Sequence, residues 1–387
     1  MSFRFPLASS TWGEEEKNAM LRVIESGMFT MGEEVAAFEE QFAQYIGSRY
    51  CVMVNSGSSA NLLMTAALFY RKENSLQRGD EVIVPAVSWS TTYFPLYQYG
   101  LKLKFVDIDL ETLNYDLDQL EASVSENTRM IMAVNLLGNP NDFDRINQIV
   151  SGRDILLIED NCESTGASYK GRKAGTFGVM GSFSTFFSHH ISTMEGGMVV
   201  TDDEELYHIL LSLRAHGWTR NLPKNNKVCS EKSDDLFKES FRFVLPGYNL
   251  RPLELEGALG VEQLKKLPKF IKQRRENAKY FQKVMKDHPD LMIQKEIGES
   301  SWFGFSLVIR KESGRKRRDL VNELNAKGFE CRPIVAGNFA GNEAVKFLNA
   351  EFPFELENAR YIDECSLFIG NHHYDIEETF TVLKSHL

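Results

Sequence analysis

The chain has 387 residues, 43% of them apolar and 25% charged, an ordinary globular composition that argues against a disordered or fibrous protein. Forty-four Lys and Arg against 54 Asp and Glu leave a net charge of −10, so neither nucleic acid nor an anionic membrane is an expected partner. At this length a large domain with a smaller companion is expected.

A first helix is expected from Thr11, with Glu14 three residues later as its capping box, to Gly27. A second amphipathic stretch runs from Glu33 to Tyr45 and stops at Gly47. β-rich runs follow at Tyr50–Val54, Glu81–Pro85, Leu103–Asp107, Arg129–Asn135, Ile155–Asp160, Gly181–Thr185 and Gly197–Thr201, mostly with helical patterns between them. This alternation predicts an α/β fold with a large, mainly parallel, seven-stranded sheet covered by helices. Residues 221–238 are polar and rich in Lys, Asn and Ser, and read as a long surface loop.

From Leu253 to His288 apolar residues recur at helical spacing (Leu264, Leu267, Phe270, Ile271), and Pro268 within that stretch suggests a hinge between domains. Beyond it, Trp302–Ile309, Arg317–Lys327, Cys331–Val335 and Ile376–Ser385 read as strand, helix, strand and helix of a small α/β domain. The expected division is therefore residues 1–255 for the large domain and 256–387 for the small one with its connecting helix.

Cysteines at 51, 162, 229, 331 and 365 are odd in number and form no CxxC pair, which suits a reducing compartment and argues against a disulfide framework or a zinc ribbon. The opening residues lack the roughly 7–15-residue apolar region of a signal peptide, and no apolar run nears the roughly 18 residues of a membrane span. A soluble, cytoplasmic protein is expected.

Four stretches carry chemistry where α/β sheets collect ligands. Val54-Asn-Ser-Gly-Ser-Ser-Ala-Asn61 joins a strand to a helix and aims amides and hydroxyls at one point, as an anion cradle does and as an ordinary Gly/Ser turn also does. It lacks the GK[ST] of a P-loop and the GxGxxG of a dinucleotide fold. Pro85-Ala-Val-Ser-Trp89 sets Trp89 near the end of a strand, either to stack on a planar cofactor or to fill the core. The strand ending in Glu159-Asp160 offers a carboxylate that can hold a ring nitrogen protonated, or cap a turn. Phe183-Ser-Thr-Phe-Phe-Ser-His-His190 brings two histidines close to the Gly-Gly bend at 196–197, with no HxxxH spacing in support of a metal.

Taken in order with Met28-Phe-Thr-Met-Gly32, Gly175-Thr-Phe-Gly178 and Gly247-Tyr-Asn-Leu-Arg251, these stretches resemble the fold type I, pyridoxal-phosphate-dependent nucleotide-sugar aminotransferases of the DegT family over nearly the whole chain. The resemblance implies that Gly57, Ser58 and Ser184 bind the coenzyme phosphate, that Trp89 stacks on the pyridine ring and that Asp160 pairs with the ring nitrogen. It also implies a homodimer in which Asn249 reaches the neighbouring subunit's phosphate site.

The chain departs from the aminotransferase pattern at two positions. The lysine that anchors the coenzyme, six residues before the Glu-Gly-Gly glutamate, is replaced by His189, and no lysine occurs between Lys173 and Lys224. The usual glutamine after the Glu-Asp pair is replaced by Glu163. These changes, with Ser188-His-His190, Met194-Glu-Gly-Gly197 and Ala215-His-Gly-Trp-Thr-Arg220, resemble the sugar 3-dehydratases within the family. That likeness implies a nucleotide-linked 4-keto-6-deoxyhexose as substrate, with GDP-linked 4-keto-6-deoxymannose the nearest match. A related branch holds an iron–sulfur cluster through clustered cysteines, which the dispersed ones here do not match, so no such cluster is expected.

The implied reaction uses pyridoxamine 5'-phosphate as the reactive form, with His189, at an ordinary pKa near 6.5, as acid and base. The 3-hydroxyl leaves, ammonia and pyridoxal 5'-phosphate are released, and L-glutamate recharges the coenzyme. Glu163 joins the expected coenzyme contacts, while Ser188, His216, Arg220, Arg251 and Arg332 are the expected contacts for substrate, the arginines toward diphosphate or a glutamate carboxylate. The competing readings are a sugar 4-aminotransferase using free coenzyme and a non-catalytic sugar or coenzyme sensor.

Overall fold

A computed structural model describes residues 3–384. The β-rich runs form strands at or within one residue of the expected places: β1 Tyr50–Val54, β2 Glu81–Pro85, β3 Lys102–Val106, β4 Thr128–Val134, β5 Leu156–Asp160, β6 Met180–Ser184 and β7 Gly197–Thr201. They lie in the order β1-β7-β6-β5-β4-β2-β3, and Ala350–Glu351 adds an eighth strand beside β3. The expected count of seven is thus one short, because a two-residue strand carries no periodic signal. From β3 across to β6 the pairs are parallel, whereas β7 runs antiparallel to both β1 and β6.

Every residue of β2, β5, β6 and β7 is buried, as in a sheet covered on both faces. Successive side chains go to opposite sides: Val84, Phe105 and Ile158 join one core, and Ile83, Val106 and Leu157 join another with Phe143 and Ile146. A third cluster packs Phe38 and Phe42 of the helix Glu33–Ile46 against Met53, Phe183 and the long helix Glu254–Met285.

Several local expectations give way to tertiary contacts. The first helix spans Glu14–Ser26 behind Gly13, whose amide donates to Glu16 at 2.6 Å; Thr11 caps nothing and instead donates to Gln263 Oε1 at 2.6 Å. Pro268 makes no hinge, since the helix Glu254–Met285 runs through it unbroken. A proline inside a helix costs about 3 kcal/mol, while Leu264, Leu267, Phe270 and Ile271, buried on both sides of it, each return about 1.5–3 kcal/mol. Residues 331–335 form no strand: Arg332 makes one bridge to Phe368, and the chain turns at Val335 with φ 49°.

The small sheet is built from Leu291–Met292, Gly304–Ile309 and Ser366–Gly370, all antiparallel. Its third strand follows directly on the helix Glu357–Cys365, with no turn residue to mark it in the sequence. Helices Arg317–Ala326 and Glu377–Lys384 stand where expected, and Ser385, the expected end of the last one, lies outside the described residues. The polar stretch 221–238 carries a two-residue hairpin, Asn225–Asn226 with Ser230–Glu231, and the start of a short helix, Leu236–Glu239. The C-terminal part also returns to the large sheet, where Asp107 accepts the amides of Asn358 and Ala359, each at 2.8 Å.

Candidate active site

Loops at the carboxyl ends of β1, β2, β4, β5 and β6 enclose a cavity of about 390 Å³. After β1 the helix Gly57–Leu68 begins on its wall, with the Ser56 hydroxyl accepting the Ser59 amide at 3.0 Å and the amides of the first turn lacking helical partners. A Cβ on Gly57 would lie 2.6 Å from Ser184 Cβ and 2.9 Å from Cys162 Sγ, so only glycine lets the cradle close against β6. Ser58 Oγ and Thr91 Oγ1 stand 2.8 Å apart, and Ser184 Oγ accepts the Phe186 amide at 3.3 Å.

The two carboxylates at the end of β5 face opposite ways. Glu159, wholly buried, accepts the amides of Gly175, Phe177 and Gly178 at 2.7, 2.6 and 2.9 Å, which fixes that glycine-rich turn. Asp160 lines the cavity and accepts from Asn61 Nδ2 and Thr92 Oγ1, each at 2.8 Å, and from the Cys162 amide at 3.1 Å. Asn61 is itself held by Ser182 at 2.6 Å, and Thr92 by Ser88 at 2.8 Å. The carboxylate is therefore fixed in place with its charge toward the cavity.

Trp89 caps the helix Ser90–Gln98 with 57% of its surface exposed, which corresponds to a flat ring at the cavity wall rather than a core residue. Glu163 accepts the Leu137 amide at 2.9 Å, and burial together with the neighbouring Asp160 charge pushes its carboxyl up to about 7. His189 stands on the same wall between the rings of Phe186 and Phe303, with centroids at 5.9 and 5.3 Å. Its Nδ1 is buried without a hydrogen-bond partner, and desolvation lowers the imidazole to about 4. The expected value near 6.5 is thus corrected downward: at neutral pH His189 is a free base. Its neighbour His190 is fully buried with Nε2 3.2 Å from the Ser301 carbonyl, a structural position.

Eight of the residues expected from sequence share this cavity: Gly57, Ser58, Trp89, Asp160, Glu163, Ser184, Ser188 and His189. Five do not line it. Asn249 is exposed and accepts from Arg251 Nε at 2.9 Å; Arg220 lies 4.4 Å over the Trp218 ring; Arg332 pairs with Glu330 at 2.8 Å; His216 turns the chain with φ 63°. Sequence reasoning passed over Asn61 and Thr92, although Asn61 sits one helical turn after Gly57 and Thr92 three residues after Trp89. Phe303 comes from the other end of the chain and had no local signal. No lysine lines the cavity among the described residues.

Residues 10–373 match the model of the DegT/DnrJ/EryC1/StrS aminotransferase family. The chain belongs to that family. It is 60% identical over 381 residues to the GDP-4-keto-6-deoxy-D-mannose 3-dehydratase of Escherichia coli O55:H7, covering 98% of each chain. Its structure superposes with a TM-score of 0.99 on the E. coli GDP-4-keto-6-deoxy-D-mannose-3-dehydratase with bound hydrated PLP, at 60% identity and 100% coverage of both chains. A GDP-4-keto-6-deoxymannose-3-dehydratase described with a trapped PLP-glutamate geminal diamine superposes with a TM-score of 0.98, at 60% identity, covering 99% of this chain and 100% of that one.

The cavity of this family member fits such a coenzyme. The glycine-tight cradle and Ser184 suit a phosphate, the half-exposed indole of Trp89 suits a ring face, and the buried Asp160 carboxylate suits a protonated ring nitrogen. The neutral His189 imidazole stands on the same wall.

Proposed function

We propose that this protein is a pyridoxal/pyridoxamine-phosphate-dependent lyase. It removes the 3-hydroxyl of GDP-4-keto-6-deoxymannose to give the 4-keto-3,6-dideoxy sugar, with L-glutamate supplying the amine and ammonia released. One observation carries the reading: the cavity that holds Asp160, Trp89 and the phosphate cradle presents the neutral imidazole of His189 and no lysine.

Bound in its amine form, the coenzyme would supply an electron sink for loss of the 3-hydroxyl. Gly57, Ser58 and Ser184 would hold its phosphate, Trp89 would cover the ring, and Asp160 would keep the ring nitrogen protonated. His189 would move a proton between the coenzyme's amine-bearing carbon and the departing 3-hydroxyl, a role typically worth about 10² to 10⁴ in rate. Glu163, half-protonated near neutrality, faces the same space beside Asp160. Ser188 stands next to His189 on the cavity wall and would contact the sugar.

We assign the working unit as a homodimer, in which Asn249, His216, Arg220, Arg251 and Arg332 serve substrate or the neighbouring coenzyme site. Exposed apolar side chains near these segments support it, among them Met28 and Phe29 at 52% and 53% exposure and Leu253 at 51%. The proposed division remains residues 1–255 and 256–387. A cytoplasmic setting agrees with five unpaired cysteines and with the finding that no described helix is long and apolar enough to cross a membrane. The product would serve colitose and O-antigen synthesis.

Mass spectrometry of the product from GDP-4-keto-6-deoxymannose, with coenzyme and L-glutamate present, tests the reading. Loss of the carbon-3 oxygen with no nitrogen retained is the expected result; a 4-amino sugar would replace it with the transaminase reading.

A further inference from the structure

Residues 300–303 are fixed at nearly every backbone polar group. The Ser301 and Phe303 amides donate to the carbonyls of Gly138 and Leu137, each at 3.0 Å, and the Trp302 amide donates to Ser300 Oγ at 3.0 Å. The Ser300 carbonyl accepts from Arg275 at 2.9 Å and the Trp302 carbonyl from Asn371 at 2.8 Å, while the Ser301 carbonyl lies 3.2 Å from His190 Nε2. Trp302 is held at φ 49°, a left-handed conformation that a bulky residue adopts only when its surroundings enforce it.

The guanidinium of Arg274, on the long helix, completes the clamp. Its Nη1 donates to the carbonyls of Trp302 and Phe303 at 3.3 and 3.1 Å. Arg274 is 4% exposed, makes no ion pair with a carboxylate among the described residues, and leaves its Nε unpartnered. A buried cation held only by carbonyls is costly, and such cost concentrates at functional sites. The clamped segment ends in Phe303, whose ring lines the cavity and lies 5.3 Å from His189 and 5.8 Å from His190.

We propose that Arg274 is a positioning residue for the dehydration: it fixes the strained 300–303 segment, and through the Phe303 ring it sets the place of the His189 imidazole in the coenzyme cavity. This rests on the proposed function for its consequence in turnover. Arg274 also acts by charge. It opposes protonation of His189, His190, His372 and His373, whereas Asp160, Glu163 and Glu195 face His189 from the cavity wall. Misplacing a reacting group by an ångström costs about 100-fold, so the effect falls on turnover and not on coenzyme affinity.

The test uses full-length Arg274→Met, Arg274→Lys and Phe303→Leu with three readouts: pyridoxal 5'-phosphate affinity by absorbance titration, kcat, and the His189 midpoint by NMR, assigned through His189→Asn. Arg274→Met should leave affinity within about 2-fold, lower kcat by about 10- to 100-fold and move the His189 midpoint upward. Arg274→Lys should recover part of kcat and most of the midpoint, and Phe303→Leu should lower kcat alone by a similar factor. A folded Arg274→Met with parental kcat and an unmoved midpoint overturns the proposal, as does loss of affinity in proportion to kcat. If Arg274→Met does not fold, parental kcat in both other variants overturns it. A parent that dehydrates no sugar defeats the proposed function, while the NMR midpoint still tests Arg274.

Discussion

In the proposed reaction, Asp160, Glu163 and His189 differ in role because they differ in environment. Asp160 is held by Asn61 and Thr92, which still have an oxygen to bond in Asp160→Asn. That variant should lose turnover by roughly 10²- to 10³-fold while its stability falls by no more than about 1–2 kcal/mol, as steady-state rates and urea unfolding will show. Glu163 is held at about 7, above the ordinary carboxyl value near 4.5, so the folded state binds its proton more tightly than the unfolded one. That contribution is fully present below the unfolded pKa and is lost as pH rises through about 7. Glu163→Gln does not titrate, so relative to the parent it should gain on the order of 2–3 kcal/mol between about pH 4.5 and 8.5. Urea midpoints at the two pH values check this; an unchanging difference would mean that Glu163 titrates as an ordinary carboxylate. His189→Lys should hold coenzyme covalently after borohydride reduction and lose dehydration, whereas the parent's mass should not change on the same treatment.

At the scale of elements, the cradle depends on a close approach between a helix end and a strand. Gly57→Ala would push into Ser184 and Cys162. It should cost about 1–3 kcal/mol of stability and abolish coenzyme binding, measured by absorbance titration of the folded fraction. The long helix makes the opposite case. Pro268 is exposed, and the helix is kept whole by apolar neighbours on its other face. Pro268→Ala should therefore raise stability by about 1–3 kcal/mol with no change in kcat, which thermal unfolding will reveal. The seven main strands were legible because their alternating or fully apolar runs leave no other way to bury both faces. The strand Ser366–Gly370 was not, since its partner Gly304–Ile309 is distant in sequence, and the cap fell at Gly13 because Thr11, the expected cap, is taken up by Gln263.

For the whole molecule, the proposed shared site predicts complementation. His189→Asn and Asn249→Ala should each be nearly inactive, and co-expression of the two chains should restore about a quarter of parental activity, from heterodimers with one intact site. No recovery would place Asn249 outside the partner's site.

The sequence by itself determined the α/β class and the places of the main strands, because these rest on residue types at short spacing, while the exchange of lysine for His189 is legible only against the family's pattern. It left Arg274 and Phe303 unremarked. Only the tertiary structure brings them to His189, and only burial there lowers the imidazole to about 4 and raises Glu163 to about 7. A side chain's proton affinity depends on what surrounds it in space, and for this site those surroundings come from segments more than a hundred residues apart.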